Sequence, residues 1–191
     1  MKKMSSAAYL RDSKKIAKKM AGTGYKLDTS ISTREHKVFL NPKTKKAVVA
    51  YRGTVPTRMK DIKSDLAILT GREKKDKRFK DSVKVMDRVK KRYPGYKFGT
   101  TGHSLGGQLA THVTRKRSKD VKRNISFSRG AGLKEPFRKR PKQTLDVSHK
   151  SDIISLGARL SRGKKGSNIV DKSKRSHALD AHDLEKLQVV S

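Results

Sequence analysis

Tyr96-Lys97-Phe98-Gly99-Thr100-Thr101-Gly102-His103-Ser104-Leu105-Gly106-Gly107-Gln108-Leu109-Ala110 reads as a strand, a sharp turn and the opening of a helix. Gly102 to Gly106 spell Gly-x-Ser-x-Gly, the pattern of a nucleophile elbow. Such an elbow holds its serine on a strained turn with the hydroxyl projecting. The flanking glycines are required because a Cβ at either position would collide with the neighbouring strand or helix. The helix that follows aims its free N–H groups at the place where negative charge develops. Small residues at Gly107 and Ala110 let that helix sit close to the sheet.

Outward from the elbow, strand and helix signals alternate. Residues 5–20 carry Ala8, Leu10, Ile16 and Met20 among lysines and predict one short amphipathic helix. Residues 35–40 predict a strand ended by Asn41-Pro42. Lys46-Ala47-Val48-Val49-Ala50-Tyr51 predicts a buried strand closed by Arg52-Gly53-Thr54. A helix is expected over 58–69 and a long one over 75–92, where Phe79, Val83, Met86 and Val89 repeat at helical spacing. Pro94-Gly95 stops it. Further strands are expected at 124–127, 143–147 and 167–170, a basic loop at 134–142, and a last helix over 177–190. The alternation implies a mostly parallel sheet flanked by helices. The expected organisation is a basic N-terminal helix or extension over 1–22 and one catalytic-type domain over 23–191.

Composition bounds the chemistry. The 191 residues suffice for one domain with its own core. There is no cysteine, which excludes disulfides, thiol nucleophiles and cysteine-based zinc sites. Lysine and arginine number 50 against 17 acidic residues, for a net charge of +33. Repulsion at this charge works against a compact state, so a polyanion is expected as partner: nucleic acid, an anionic membrane surface or an acidic protein. Five Phe, five Tyr and no Trp leave little for base stacking, so base-specific recognition is not expected. No apolar run is long enough to span a membrane. Arg11, Asp12, Lys14 and Lys15 interrupt the N-terminal stretch, so a signal peptide is not expected. The compartment stays open, with a virus particle or host cytoplasm as the candidates.

A serine hydroxyl needs a base, and the base needs an orienting acid. After Ser104, Asp152 follows a strand pattern, and His177 and His182 follow Asp152. This is the order Ser, Asp, His. Asp146 is the rival acid, less suited because it lies within a strand. His36, His103, His112 and His149 are expected to be structural. No metal-ligand spacing and no phosphate loop occurs, so no metal or cofactor is expected.

Three ordered blocks resemble the class 3 lipases, the fungal triacylglycerol lipase type of α/β-hydrolase. They are Val48 to Thr54 with Asp61 to Leu66, then Gly102 to Ala110, then Asp152-Ile153-Ile154. The resemblance implies an α/β-hydrolase fold in a compact version and hydrolysis of a lipid or phospholipid ester without a cofactor. It assigns Ser104 as nucleophile, Asp152 as orienting acid, and the backbone N–H groups of Thr54 and Leu105 as the oxyanion hole. Such donors contribute about 3 kcal/mol each. His182 fits the family's last block better than His177 because Leu184 and Leu187 follow it. Asp65 would brace the oxyanion loop. The polar stretch Pro56 to Asp61 departs from the family's apolar lid, and the short chain departs from a deep acyl pocket. A small ester or a phospholipid is thus expected over long-chain triacylglycerol. The alternative expectation is a retired hydrolase fold serving as a basic nucleic-acid-binding protein, for example in a virion.

Overall fold

The computed structural model describes residues 1–54, 77–130, 140–152, 155, 168–171 and 183–184. Its elements are helices α1 (Lys2–Ala7), α2 (Ser13–Met20), α3 (Lys77–Arg92) and α4 (Leu105–Lys116). The strands are β1 (Lys26–Leu27), β2 (His36–Asn41), β3 (Lys46–Tyr51), β4 (Lys97–His103), β5 (Val121–Phe127), β6 (Thr144–His149) and β7 (Asn168–Asp171). They form a single sheet in the order β1-β2-β3-β4-β5-β6-β7. The β1–β2 and β2–β3 pairs are antiparallel, and β3 to β7 are parallel. A mostly parallel sheet flanked by helices is the architecture the strand and helix alternation predicts.

Side-chain alternation explains how the sheet is covered. In β2 and β3, Val38, Val49 and Tyr51 face one side. There they pack with Phe79, Val85, Met86 and Val89 of α3 and Leu105, Leu109 and Val113 of α4. Phe39, Val48 and Ala50 face the other side and meet Met4 and Ala7 of α1, Ala8, and Ile16 and Met20 of α2. Central strand β3 is buried from Ala47 to Tyr51 because both of its faces are covered.

The expected single helix over 5–20 is instead two helices. Asp12 adopts an extended conformation, and its carboxylate accepts the N–H groups of Lys14 (2.8 Å) and Lys15 (3.4 Å). It is an N-cap with extended backbone angles, so no single helix can run through it. The two-residue strand β1 has no counterpart in the sequence reading, being too short to show a period. Strand β5 starts at Val121, ahead of the expected 124, with Lys122 and Arg123 exposed. The expected helices over 58–69 and 177–190 and most of the loop over 134–142 lie outside the described residues. Among the described residues no helix is long and apolar enough to cross a membrane.

His36 is structural. It is buried, Nε2 lies 2.9 Å from the Ile31 carbonyl and Nδ1 3.0 Å from Thr33 Oγ1. Desolvation holds its pKa below the ordinary 6.5, and the nearby Arg88 and Lys37 charges act in the same direction. The unfolded chain therefore binds the proton more readily. The stability His36 contributes is complete above about pH 7.5, begins to fall near the unfolded pKa, and is lost through the depressed folded pKa. Thermal unfolding of wild type should show Tm falling as pH drops from about 7.5 to about 5, and His36→Gln should flatten that slope.

Candidate active site

Ser104 sits between β4 and α4 with φ 55° and ψ −126°, in the left-handed region that a serine adopts only under constraint. Three backbone bonds hold it there. Its N–H donates to the Phe127 carbonyl (3.0 Å), and its carbonyl accepts from Gln108 (3.2 Å) and Gly130 (3.3 Å). The flanking glycines admit no side chain. A Cβ on Gly102 would stand 2.2 Å from the Gly106 carbonyl, and one on Gly106 would stand 2.2 Å from the Tyr51 carbonyl. The elbow helix is thus pressed onto the end of β3 by backbone-to-backbone contact.

That contact brings the two oxyanion candidates to one edge. Thr54 follows Arg52-Gly53 at the carboxyl end of β3. A Cβ on Gly53 would stand 2.6 Å from the His103 carbonyl and 3.3 Å from the Gly106 nitrogen. Leu105 is the first residue of α4, so its N–H belongs to the first turn, which has no intrahelical acceptor. The Arg78 guanidinium donates to the Arg52 carbonyl at 2.8 Å and fixes the loop from α3.

Tyr9 is a residue that sequence reasoning missed. Its hydroxyl donates to the His103 carbonyl (3.4 Å) and lies 3.1 Å from His103 Nδ1. Burial pushes the hydroxyl up to about 12, opposed by a hydrogen bond from the Gly53 N–H and by the Arg52 and Arg78 charges. One phenol therefore ties the residue before the serine to the glycine before Thr54. No local signal could reveal a pairing across 94 residues. His103, beside the serine, is engaged by this tyrosine. His112 packs edge-on against Phe79 at 5.1 Å between ring centroids. His149 is buried, and its Nδ1 accepts the Ser151 N–H at 3.1 Å.

Asp152 lies beyond the carboxyl end of β6, on the edge that carries the elbow two strands away. It is buried, its N–H donates to His149 O (3.1 Å), and its Oδ1 accepts the Ser155 N–H (3.3 Å). The rival acid has other partners. Asp146 accepts a two-point bond from buried Arg129 (3.0 and 2.9 Å), and Arg140 Nε lies 3.1 Å from its Oδ2. Arg129 also donates to Gln108 of the elbow helix at 3.2 Å. Asp146 thus anchors β6 to α4. His177, His182 and Asp65 lie outside the described residues. Leu184, two residues after His182, is buried against Phe127 and Val147 at the ends of β5 and β6. Among the described residues no cluster of three or more His, Asp or Glu could hold a metal ion.

Two stability measurements follow by denaturant unfolding. Tyr9→Phe removes the hydroxyl that meets the His103 carbonyl and ring nitrogen and should cost about 1–3 kcal/mol. Asp146→Ala removes the carboxylate that faces two buried guanidinium groups and should cost about 3–5 kcal/mol.

The model of the family "Lipase (class 3)" matches residues 48–156. No curated protein matches the sequence. Among solved structures the chain is similar to the nonglycosylated LIP2 lipase of Yarrowia lipolytica. That likeness has a TM-score of 0.55 at 14% identity and covers 80% of this chain and 71% of that one. The chain is also similar to the lipase of Rhizopus microsporus var. chinensis, with a TM-score of 0.49 at 19% identity, covering 81% and 66%. A second Yarrowia lipolytica Lip2 structure is covered over 61% of its length. At 14% identity the likeness to the nonglycosylated LIP2 lipase shows the fold alone, and the chain spans 61% to 71% of the length of these lipases. More than half of the 191 residues fall within the family match, so the chain belongs to the class 3 lipases and has their α/β-hydrolase fold.

Proposed function

We propose that this chain is a serine hydrolase that cleaves a carboxylic ester of a lipid or phospholipid through an acyl-enzyme. The observation that carries the reading is Ser104 on a strained elbow, pressed by backbone contact against the Arg52-Gly53-Thr54 loop. In this reading His182 takes the Ser104 proton as the hydroxyl oxygen attacks the ester carbonyl. The oxyanion of the tetrahedral intermediate is met by the N–H groups of Leu105 and Thr54. Collapse breaks the ester bond, and His182 returns the proton to the departing alcohol. Water, deprotonated by His182, then attacks the acyl-enzyme; the acyl–serine bond breaks, His182 returns the proton to Ser104, and the acid is released. Asp152 orients the imidazole throughout.

The choice of His182 over His177 gains support from Leu184. Its burial against Phe127 anchors the chain near the strand whose carbonyl holds the Ser104 N–H. Asp152 is favoured over Asp146 because the latter carboxylate is committed to Arg129 and Arg140. The cation-rich surface would hold such an enzyme at a polyanionic surface, lipid or nucleic acid. A hydrolase fold without turnover, acting only as a basic polyanion binder, is the alternative that the net charge alone favours.

Labelling by a fluorophosphonate probe separates the two. The wild type should label, Ser104→Ala and His182→Ala should not, and His177→Ala should retain labelling. Asp152→Asn should lower kcat by about 10⁴. A folded wild type that never labels, with or without anionic vesicles, selects the alternative.

A further inference from the structure

We propose that the outer edge of α3 is a nucleic-acid-binding rail that tracks a phosphate backbone. Lys77, Lys80, Lys84, Arg88 and Lys91 are all exposed and follow one another at steps of three and four residues. That spacing puts them in one stripe on the helix surface. At 1.5 Å per residue the stripe is about 21 Å long. This is the axial length of roughly six phosphates on one strand of a duplex. The opposite face, with Phe79, Val85, Met86 and Val89, is buried in the core, so the stripe is held rigid and outward.

The carboxylates of α3 do little to neutralise it. Asp87 is engaged by Arg117 from α4's C-terminal end, with both of its oxygens 2.6 Å from guanidinium nitrogens. Asp81 lies 3.7 Å from Lys84 in a solvent-facing pair of the kind that is worth little. Like charges at three- and four-residue spacing destabilise a helix. A polyanion converts that repulsion into attraction and releases its own counterions.

Three observations favour nucleic acid over an anionic membrane. First, α3 joins β3 to the parallel β4 and so runs from the sheet's carboxyl edge to its amino edge. Arg78 bonds the Arg52 carbonyl at one end, and Lys90 pairs with Asp120, just before β5, at the other (2.6 Å). The stripe therefore leads away from the edge that carries Ser104. A flat bilayer presented to Ser104 would meet only its first turn. Second, the most exposed residues of α3 are all Lys or Arg. It has no exposed apolar side chain to enter a membrane and no exposed aromatic to stack on bases. Third, Lys14, Lys15 and Lys18 of α2 are exposed on the opposite face of the sheet. A flat surface engages one face at a time, whereas separate nucleic-acid segments can engage both. The binding is to phosphates and independent of base sequence, and it does not depend on the chemistry of Ser104.

Anisotropy of a labelled duplex of about 24 base pairs tests this, titrated with the full chain between about 50 and about 300 mM salt. Wild type should bind with an affinity that falls linearly on a log–log salt plot. The combined Lys77→Gln, Lys80→Gln, Lys84→Gln, Arg88→Gln and Lys91→Gln variant should lower the slope by about 4.5, at about 0.9 for each phosphate no longer neutralised. Lys14→Gln, Lys15→Gln and Lys18→Gln together should lower it by less than half as much. Without duplex, the five-site variant should unfold at a Tm no lower than wild type. If it does not fold, Lys80→Gln with Arg88→Gln should lower the slope by about two. The proposal is overturned if wild type fails to bind at the lowest salt, or if the α2 and α3 variants weaken binding equally per charge. Binding to phosphatidylserine vesicles with none to the duplex also overturns it, in favour of a membrane surface.

Discussion

The Tyr51 carbonyl occupies the place where a side chain on residue 106 would have to be. This single exclusion fixes how close the elbow helix comes to the third strand, and the rest of the site depends on that distance. With the helix seated there, its first N–H groups face the loop that leaves β3, and Gly53 lies against the His103 backbone. Ser104 then has only a strained conformation available, which its three backbone hydrogen bonds maintain. Strain of this kind persists where the surroundings over-determine it, and here they include two strands, a helix and a loop.

Polar groups complete what a modest apolar content cannot. Hydrophobic residues make up 32% of the chain, and only 5% are aromatic. The interior beside the elbow is accordingly a hydrogen-bonded network. Asn124 reaches Thr111, Ser126 and Thr144, and Ser126 reaches the Gly107 carbonyl of the elbow helix. Next to it Arg129 couples Asp146 of β6 to Gln108 of α4. A buried ion pair of this sort gives little net stability, because desolvation offsets the attraction. What it supplies is registry: β6 and α4 have one satisfactory relative position, and Asp152 follows β6.

The surface follows a different rule. Among residues whose side-chain exposure is described, Asp12, Glu35 and Asp183 are the most exposed carboxylates. The first of them caps α2. The half-buried Asp87 and Asp120 hold cations of neighbouring elements, Arg117 and Lys90, and so weld α3 to its surroundings. Acidic residues are thus used at fold-defining contacts, while the cations that cover the outside have few counter-charges within the chain.

The elbow, the central strand at residues 46–51 and the core stripe of α3 could be read directly, because each is a local pattern: a spaced motif, a buried run, a helical period. The break between α1 and α2 was harder, since the pattern of Ala8, Leu10, Ile16 and Met20 continues across it. Only the folded chain shows the Asp12 carboxylate choosing the N–H groups of Lys14 and Lys15. The sequence favours Asp152 over Asp146 only by its place after a strand, and their partners separate them further. Guanidinium groups hold the first, while a turn N–H meets the second at the site's edge. The order of residues was enough for the secondary structure near the elbow, the family and the sign of the surface charge, because these depend on residue type and short-range spacing. Folding in three dimensions made Tyr9 bridge Gly53 and His103, gave Asp146 to Arg129, and turned the α3 cations away from the serine edge. Those outcomes depend on which distant segments the assembled sheet brings within bonding distance, and no local pattern encodes that distance.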